Sequence, residues 1–193
     1  MGIFIAIYGI NNIGKTTQAK RLALRLRRLG KRAAYLKYPI YNQKPTGPLL
    51  NRVLRGGKKQ KMKEEQLQLL FVLNRYQFQP KLLEMLKKGT IIVAEDYTET
   101  GIAWGTAKGA HPAEMESMNK FLVQEDLGIL FEGKRVLRSK EKGHIHEQND
   151  LISRRCQKIF AGLAKRRKWA RVKVSPDKDI TAARLWKIVR GRV

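Results

Sequence analysis

The sequence predicts an α/β fold, in which helices cover both faces of a five-stranded parallel sheet to give a three-layer sandwich. Short apolar runs of strand length alternate with longer helical patterns along the whole chain. Because parallel strands need long crossovers that are usually helices, this alternation favours a parallel sheet. The 193 residues are 42% hydrophobic, which suffices for one sizeable core, and we expect a single domain over residues 1–193.

The first strand is followed by the clearest motif of the chain. Phe4–Tyr8 is an apolar run typical of a buried strand, and the residues from Gly9 to Thr16 fit the pattern G-x-x-x-x-G-K-[ST]. A loop of this kind wraps phosphate, because its glycines let backbone N–H groups point inward. Lys15 would place its charge near the β and γ phosphates, and the Thr16 hydroxyl would ligate Mg²⁺. The loop therefore predicts a nucleotide-phosphate site; the alternative is a plain glycine turn between a strand and a helix.

The later segments are assigned from their apolar spacing. A helical pattern over residues 16–29 stops at Gly30. Its inward face comprises Ala19, Leu22, Leu26 and Leu29. The remaining predicted segments are a strand at 33–38, a loop at 42–48, a short helix at 49–54, a helical pattern at 64–88, a strand at 90–94, helices starting at 101 and 112, a strand at 127–131, a helix at 151–169, a strand at 171–174 and a final helix at 180–189.

The longest helical pattern carries two polar residues beside its apolar face. Residues 64–88 form this pattern, and Pro80 is expected to start a second segment rather than to lie mid-helix. Asn74 and Arg75 stand among apolar residues at i, i+3 and i+4 spacing. A polar pair that is buried there must meet a partner. A ligand cleft would supply one, and a surface salt bridge is the alternative.

Two acids directly follow the third predicted strand. Glu95 and Asp96 come after the β-branched run at 90–94, and carboxyl ends of parallel strands are where α/β sheets bind ligands. Downstream of a phosphate loop, such acids suit the Mg²⁺ side of phosphoryl-transfer proteins. The alternative is that they only cap the next helix. Residues 134–150 are polar and charged and can bury little surface, so we expect a mobile basic lid there.

The charge of the chain is unusual, because 41 Lys and Arg against 16 Asp and Glu give a formal net charge of +25. Such a field attracts anions, including nucleotides and nucleic acids. The basic residues are spread over several segments, which favours a solvated surface and at most non-specific contact with nucleic acid, and genuine nucleic-acid binding is the alternative. No apolar run approaches the roughly 18 residues of a membrane span, so no membrane partner is expected. The single cysteine, Cys156, predicts a packing role and is typical of a reducing cytoplasm.

Four motifs in this order resemble the thymidylate kinase family of P-loop nucleoside monophosphate kinases. The phosphate loop continues to Gln18 as G-K-T-T-Q, similar to the family's G-K-[ST]-T-Q, and Tyr38-Pro39 is similar to its Phe-Pro after strand two. The run Leu70–Arg75 resembles the family's L-F-x-x-[ND]-R, and Gly101–Trp104 resembles the segment after its D-R-[YFH] motif. The likeness extends over nearly the whole chain.

The resemblance implies roles for individual residues. Phe71 would stack on a thymine ring, Arg75 would bond the base, and Trp104 would be an aromatic neighbour of the base. Tyr97 matches the third position of D-R-[YFH]. The substrate-binding residues expected in this way are Asn11, Tyr38, Phe71, Arg75, Asp96, Tyr97, Gly101 and Trp104. The expected ATP-binding residues are Gly9, Asn11, Asn12, Ile13, Gly14, Lys15, Thr16 and Thr17, and the expected metal site is Thr16, Glu95 and Asp96.

The sequence departs from the family on the acceptor side. The family's D-R pair is Glu95-Asp96 here, so a carboxylate replaces the arginine that holds the acceptor phosphate and would repel that phosphate. Asn11 and Asn12 stand where the family usually has G-x-D-G or G-x-D-R. Tyr41 lies close to the place of a further family arginine. The compensating cation is left open between Arg75, Lys37 and lid residues.

The resulting hypothesis is transfer of the γ-phosphoryl group of ATP, with Mg²⁺, to a nucleoside monophosphate, with dTMP as the expected acceptor. Lys15 and the lid residues Arg135 and Arg138 are the expected catalytic cations. One alternative keeps the fold and changes the acceptor to another nucleotide or to a nucleoside, with Asp96 as the base. The others are a degenerate nucleotide binder and a nucleic-acid-binding module. The resemblance also implies that the chain can form homodimers.

Overall fold

The computed structural model describes residues 1–55, 62–134 and 150–193. Strands and helices alternate along these ranges. They are β1 Phe4–Tyr8, α1 Lys15–Arg28, β2 Ala33–Lys37, α2 Thr46–Arg55, α3 Glu64–Lys87, β3 Ile91–Glu95, α4 Thr98–Ala107, α5 Pro112–Asn119, β4 Leu127–Glu132, α6 Asp150–Arg166, β5 Ala170–Lys173 and α7 Lys178–Val189.

The five strands form one parallel sheet in the order β2-β3-β1-β4-β5. Every residue of β1 and of β3 is buried, as expected for central strands of a sheet that is covered on both faces. Ile7 of β1 is in register with Glu95 of β3. The loop after β1 and the acids at the end of β3 therefore meet at the same edge of the sheet.

Helices cover both faces of the sheet, which confirms the predicted three-layer α/β sandwich. Helix α1 packs on β2 and β3 and contacts α7, whereas α6 packs on β4 and contacts α4. One core of buried side chains includes most of β1, β3 and β4 together with the inward faces of these helices. Cys156 of α6 is fully buried within that core.

Helix α3 runs without interruption from Glu64 to Lys87, so the prediction of a new helical segment at Pro80 is wrong. Pro80 lies on the exposed side of the helix, while Phe78 and Leu82 on either side of it are buried in the core. This packing holds together a helical turn that lacks one backbone hydrogen bond.

Other differences lie at the ends of elements. Leu29 was expected on the inward face of the first helix, but α1 ends at Arg28 and Leu29 is 55% exposed. Helix α2 begins at Thr46, inside the predicted loop, and α4 begins at Thr98, before Gly101. Of the predicted lid at 134–150, residues 135–149 lie outside the described residues. In the part of the chain that the structure describes, no helix is long and apolar enough to cross a membrane.

Candidate active site

A cavity of about 360 Å³ opens at the carboxyl edge of the sheet. Its walls come from the loop after β1, the ends of β2 and β3, and the facing sides of α3 and α4. It thereby joins segments that are far apart in the sequence. The predicted site residues that line it are Asn11, Asn12, Gly14, Lys15, Thr16, Thr17, Tyr38, Phe71, Arg75, Glu95, Asp96, Gly101 and Trp104.

The phosphate loop is held in a backbone shape that few residues adopt. Gly9, Asn12 and Gly14 have φ values of 141°, 62° and 96°. A side chain at Gly9 would also lie 2.9 Å from the Phe131 carbonyl oxygen, so the first motif glycine is required where the loop leaves the core. Ile13 is buried and anchors the loop in the core. Gly9 and Ile13 do not line the cavity, so we assign them to the shape of the loop.

Lys15 folds back over this loop. Its ammonium donates hydrogen bonds to the carbonyl oxygens of Gly9 at 2.8 Å and Ile10 at 2.9 Å. The same nitrogen lies 3.5 Å from Asp96 Oδ1. The cation is thus fixed between the loop and the end of β3, on the wall of the cavity.

Glu95 is a buried carboxylate with a donor on each oxygen. Thr16 donates to Oε1 at 2.7 Å and the Tyr35 hydroxyl donates to Oε2 at 2.5 Å. The Lys37 ammonium also lies 3.5 Å from Oε1. These partners stabilise a carboxylate that is only 4% exposed, and they place it beside the threonine hydroxyl of the loop. Burial and the hydrogen bond to Glu95 raise the pKa of the Tyr35 hydroxyl, which therefore stays a donor.

Asp96 adopts a left-handed backbone conformation, with φ of 59°, directly after β3. Its Oδ1 accepts a 3.0 Å hydrogen bond from Thr100 and faces Lys15. Burial raises the pKa of Asp96, and the Lys15 ammonium partly offsets this effect. The alternative that these acids merely cap the next helix is wrong, because α4 has Tyr97 at its N-cap and no side-chain capping bond.

The opposite end of the cavity combines a cation with aromatic rings. Arg75 is buried, and its guanidinium donates to the carbonyl oxygen of Tyr97 at 2.9 Å and to Asn119 Oδ1 at 3.2 Å. Phe71 and Trp104 line the same cavity. Arg75 therefore faces the cleft and makes no surface salt bridge with the described residues.

Asn74 has a structural role instead. Its side chain binds the backbone N–H of Ile40 at 2.7 Å, the carbonyl oxygen of Ile40 at 3.0 Å and the Thr46 hydroxyl at 2.9 Å. These bonds tie α3 to the segment between β2 and α2. Of the two polar residues on α3, Arg75 therefore lines the cavity, whereas Asn74 holds neighbouring segments of the fold together.

Tyr97 does not line the cavity, although it was expected to bind substrate directly. Its ring is 1% exposed and packs 4.9 Å from the rings of both Phe4 and Tyr38. Asp96, with its left-handed backbone, separates Tyr97 from the alternation of β3, and packing against these two rings holds the Tyr97 ring in the core. Its contribution to the site is the carbonyl oxygen that holds Arg75.

Several cavity residues were not singled out from the sequence. They are Leu54, Arg55, Gln68, Thr100 and Lys108, together with Tyr35 behind Glu95. Gln68 could have been found, because it precedes Phe71 by three residues and Arg75 by seven, on the same helical face. Lys108 binds Glu64 at 3.0 Å through a contact between the end of α4 and α3 that local spacing does not reveal, whereas Gln68 binds the same Glu64 at 2.8 Å from one turn further along α3.

The charge balance of the cavity suits anionic ligands. Of the residues that the structure describes in its walls, five are cationic and two are acidic. The cations are Lys15, Lys37, Arg55, Arg75 and Lys108, and the acids are Glu95 and Asp96. The predicted catalytic residues Arg135 and Arg138 lie outside the described residues.

Comparison with known proteins gives consistent results. A family model described as thymidylate kinase matches residues 7–184. A thymidylate kinase from Dictyostelium discoideum is 33% identical over 109 residues, which cover 56% of this chain and 48% of the relative. One from African swine fever virus (strain Badajoz 1971 Vero-adapted) is 32% identical over 139 residues, covering 72% and 55%. The chain thus spans about half the length of these curated relatives.

The fold also matches a solved structure. A thymidylate kinase from Candida albicans superposes with a TM-score of 0.76 over 98% of this chain and 92% of that one. Its sequence identity is 23%, so this likeness bears on the fold alone. Taken with the family match over residues 7–184, it supports one conclusion: the chain belongs to the thymidylate kinase family.

Proposed function

We propose that this protein transfers the γ-phosphoryl group of ATP to dTMP and so forms dTDP. The observation that carries the proposal is a cavity that joins the phosphate loop to an aromatic and cationic pocket. Lys15 and Thr16 stand at one end, and Phe71, Arg75 and Trp104 stand at the other. Such a cavity suits two nucleotides that meet end to end, with the phosphates between them.

On the donor side, the loop residues from Asn11 to Thr17 would surround the ATP phosphates. Lys15 is already aimed along the loop by its two carbonyl bonds and would neutralise charge on the transferring group. The oxygen ligands of Thr16 and Glu95 are 2.7 Å apart, a donor set that fits Mg²⁺, which prefers one or two protein oxygens together with phosphates and water. When bound there, Mg²⁺ would supply further neutralisation of the phosphate oxygens.

On the acceptor side, Phe71 would stack on the thymine ring and Arg75 would bond the base. Trp104 would close the base pocket, Asn11 would bond a sugar hydroxyl, and Tyr38 would complete the wall beside it. No general base is needed, because the acceptor phosphate is already an oxyanion and the reaction depends on positioning and charge. We further propose that residues 134–150 close over the site as a lid and that Arg135 and Arg138 act from it.

We also propose that residues 1–193 work as one domain in a cytoplasmic setting, either alone or as a homodimer. The buried, reduced state of Cys156 is compatible with that compartment. Light scattering of the purified protein would measure the oligomeric state.

The test is coupled ADP release with Mg-ATP and each of dTMP, dUMP, UMP, CMP, AMP, GMP and thymidine in turn. We expect turnover with dTMP and its close analogue dUMP. Lys15→Ala should abolish it, whereas Lys31→Ala, at an exposed lysine just beyond α1, should leave it unchanged. The matched lysine pair separates loss of the catalytic cation from loss of overall charge.

Three other outcomes would contradict the proposal, and each would support a different function. Turnover confined to thymidine would indicate a nucleoside kinase in which Asp96 accepts the proton of the hydroxyl. ATP binding without turnover of any acceptor would indicate a degenerate nucleotide binder. Sequence-selective nucleic-acid binding that survives Lys15→Ala would indicate a nucleic-acid module.

A further inference from the structure

The part of the cavity where the phosphates of the two nucleotides would meet contains two carboxylates. Glu95 and Asp96 both line it, beside Lys15 and Thr16. An acceptor phosphate must reach this place to attack the γ phosphate, and it would enter as a dianion. Two carboxylates in a buried site oppose such a group strongly, so a cation must face it.

The other cations that the structure describes in the cavity walls have contacts of their own. Lys15 is bound to the carbonyl oxygens of the phosphate loop. Arg75 is bound to Tyr97 and Asn119 at the base end, and Lys108 is paired with Glu64 at 3.0 Å. Arg55 lies over the Tyr41 ring, 5.2 Å from its centroid. Lys37 is the cavity-lining cation that lies next to Glu95, with its ammonium 3.5 Å from Oε1.

Lys37 reaches the meeting point because of strand register. It is the last residue of β2 and pairs in register with Glu95, the last residue of β3. Its ammonium lies 3.5 Å from the Glu95 oxygen that accepts the Thr16 hydroxyl bond. The side chain is 41% exposed and lines the cavity, so the ammonium can meet a ligand without leaving the site.

Glu95 does not depend on this lysine for its hydrogen bonds. Thr16 donates to one of its oxygens and Tyr35 donates to the other, whereas the contact with Lys37 is longer. Asp96, in turn, has its charge balanced by Lys15 and its Oδ1 bound by Thr100. Glu95 and Asp96 thus both have partners besides Lys37, which lies near both carboxylates on the wall of the cavity.

We propose that Lys37 binds the 5′-phosphate of the acceptor and makes this protein select a nucleoside monophosphate over the nucleoside. The inference rests on the proposed function, because it concerns the acceptor of that reaction. Asp96 then acts as a positioning residue for Lys15 and makes no direct contact with the acceptor phosphate. The simpler explanation is that Lys37 only neutralises Glu95, and the two can be separated by experiment.

The experiment compares Lys37→Met, which keeps the length of the side chain but removes its charge, with Lys37→Arg, which keeps the charge. Calorimetry would measure binding of dTMP and of thymidine to each variant, and steady-state kinetics would measure KM for dTMP and for ATP. Lys31→Met serves as the matched control for loss of one lysine, and circular dichroism would check the fold.

We expect Lys37→Met to weaken dTMP binding about tenfold or more, since a charge-assisted contact is lost. Thymidine binding and the KM for ATP should change less than about twofold, and Lys37→Arg should restore most of the dTMP affinity. A lower kcat with a higher KM for ATP and unchanged dTMP binding would overturn the inference in favour of Glu95 neutralisation. Equal losses for dTMP and thymidine would overturn it as well.

Measurements on the unsubstituted protein separate a failure of the Lys37 proposal from a failure of the proposed function. If it phosphorylates dTMP and Lys37→Met binds dTMP equally well, only the role of Lys37 is wrong. If the unsubstituted protein neither binds nor phosphorylates any monophosphate, the proposed function fails and this inference falls with it.

Discussion

The hydroxyl of Thr16 donates a 2.7 Å hydrogen bond to Glu95 Oε1, although 79 residues separate the two in the sequence. One belongs to the phosphate loop and the other ends β3. Their contact places two hard oxygen atoms next to Lys15, an arrangement that would suit the magnesium–nucleotide complex of the proposed reaction.

Replacing Glu95 with Gln should keep the shape of this pair and remove its charge. We expect kcat to fall on the order of 100-fold and the magnesium concentration for half-maximal rate to rise, since phosphate charge is then less well neutralised. A magnesium titration of the rate at saturating ATP would measure both effects. Glu84→Gln, at an exposed residue of α3, is the control, and an unchanged magnesium dependence in Glu95→Gln would contradict the assignment.

Gly101 lets Arg75 lie against α4. A side chain at this position would come within 3.1 Å of an Arg75 nitrogen and 2.8 Å of Gln68 Oε1. Gly101→Ala should therefore displace Arg75 and raise KM for dTMP about tenfold, while KM for ATP stays the same. Kinetics with each substrate varied in turn would check this.

Gly162 provides the matched control for the glycine-to-alanine substitution at Gly101. It lies in α6, and a side chain there would meet nothing within 4 Å. Gly162→Ala should leave both KM values unchanged and should stabilise the protein by roughly 0.5–1 kcal/mol, because alanine has the higher helix propensity. If both glycine variants raise KM for dTMP equally, the effect at Gly101 is not local to Arg75.

The carboxyl group of Glu125 should make the free energy of unfolding depend on pH. Burial, with a further contribution from the nearby Glu99 carboxylate, raises the pKa of Glu125 from 4.5 to about 7. Tyr8 and Arg167 also face this region, and Arg167 is paired with Glu99 at 3.0 Å. Between these two pKa values the folded protein holds a proton that the unfolded chain has released, so stability falls as pH rises through this window.

Glu125→Gln should remove this penalty. At pH 8 we expect the variant to be more stable than the unsubstituted protein by on the order of 2 kcal/mol, with the difference shrinking toward pH 4.5. Urea unfolding at several pH values would measure it, with the exposed Glu114→Gln as the control. A stability difference that does not vary with pH would contradict a titrating Glu125.

The surplus of positive charge predicts weak, sequence-independent binding to DNA. Helix α1 carries three arginines in its last turn, and Arg25 stacks over the Trp186 ring of the neighbouring helix α7 at 4.1 Å. We expect duplex binding at about 50 mM salt to be largely lost at about 200 mM, because it depends on counterion release. Fluorescence anisotropy with two unrelated duplexes would check this, and a marked preference for one duplex would indicate a specific function.

Much of the site was predictable from local patterns. The strand–loop–helix context of Gly9 to Thr16 identified the phosphate loop, and the four-residue spacing of Phe71 and Arg75 placed both on one side of α3. Both features can be inferred from the sequence because helical and strand periodicity are properties of neighbouring residues. Tyr97 was expected to bind substrate, but local patterns could not predict the position of its ring. Packing against Phe4 and Tyr38 turns that ring into the core.

The sequence by itself determined the succession of strands and helices, the phosphate-loop motif, the acids after β3 and the four-residue spacing of Phe71 and Arg75 on α3. The tertiary structure decided the partners: β1 beside β3, Thr16 against Glu95, Lys15 against Asp96, and Lys37 beside Glu95. It also kept α3 continuous through Pro80. The physical reason is that strand order, and the contacts of buried polar groups, depend on long-range packing, which local propensity does not encode.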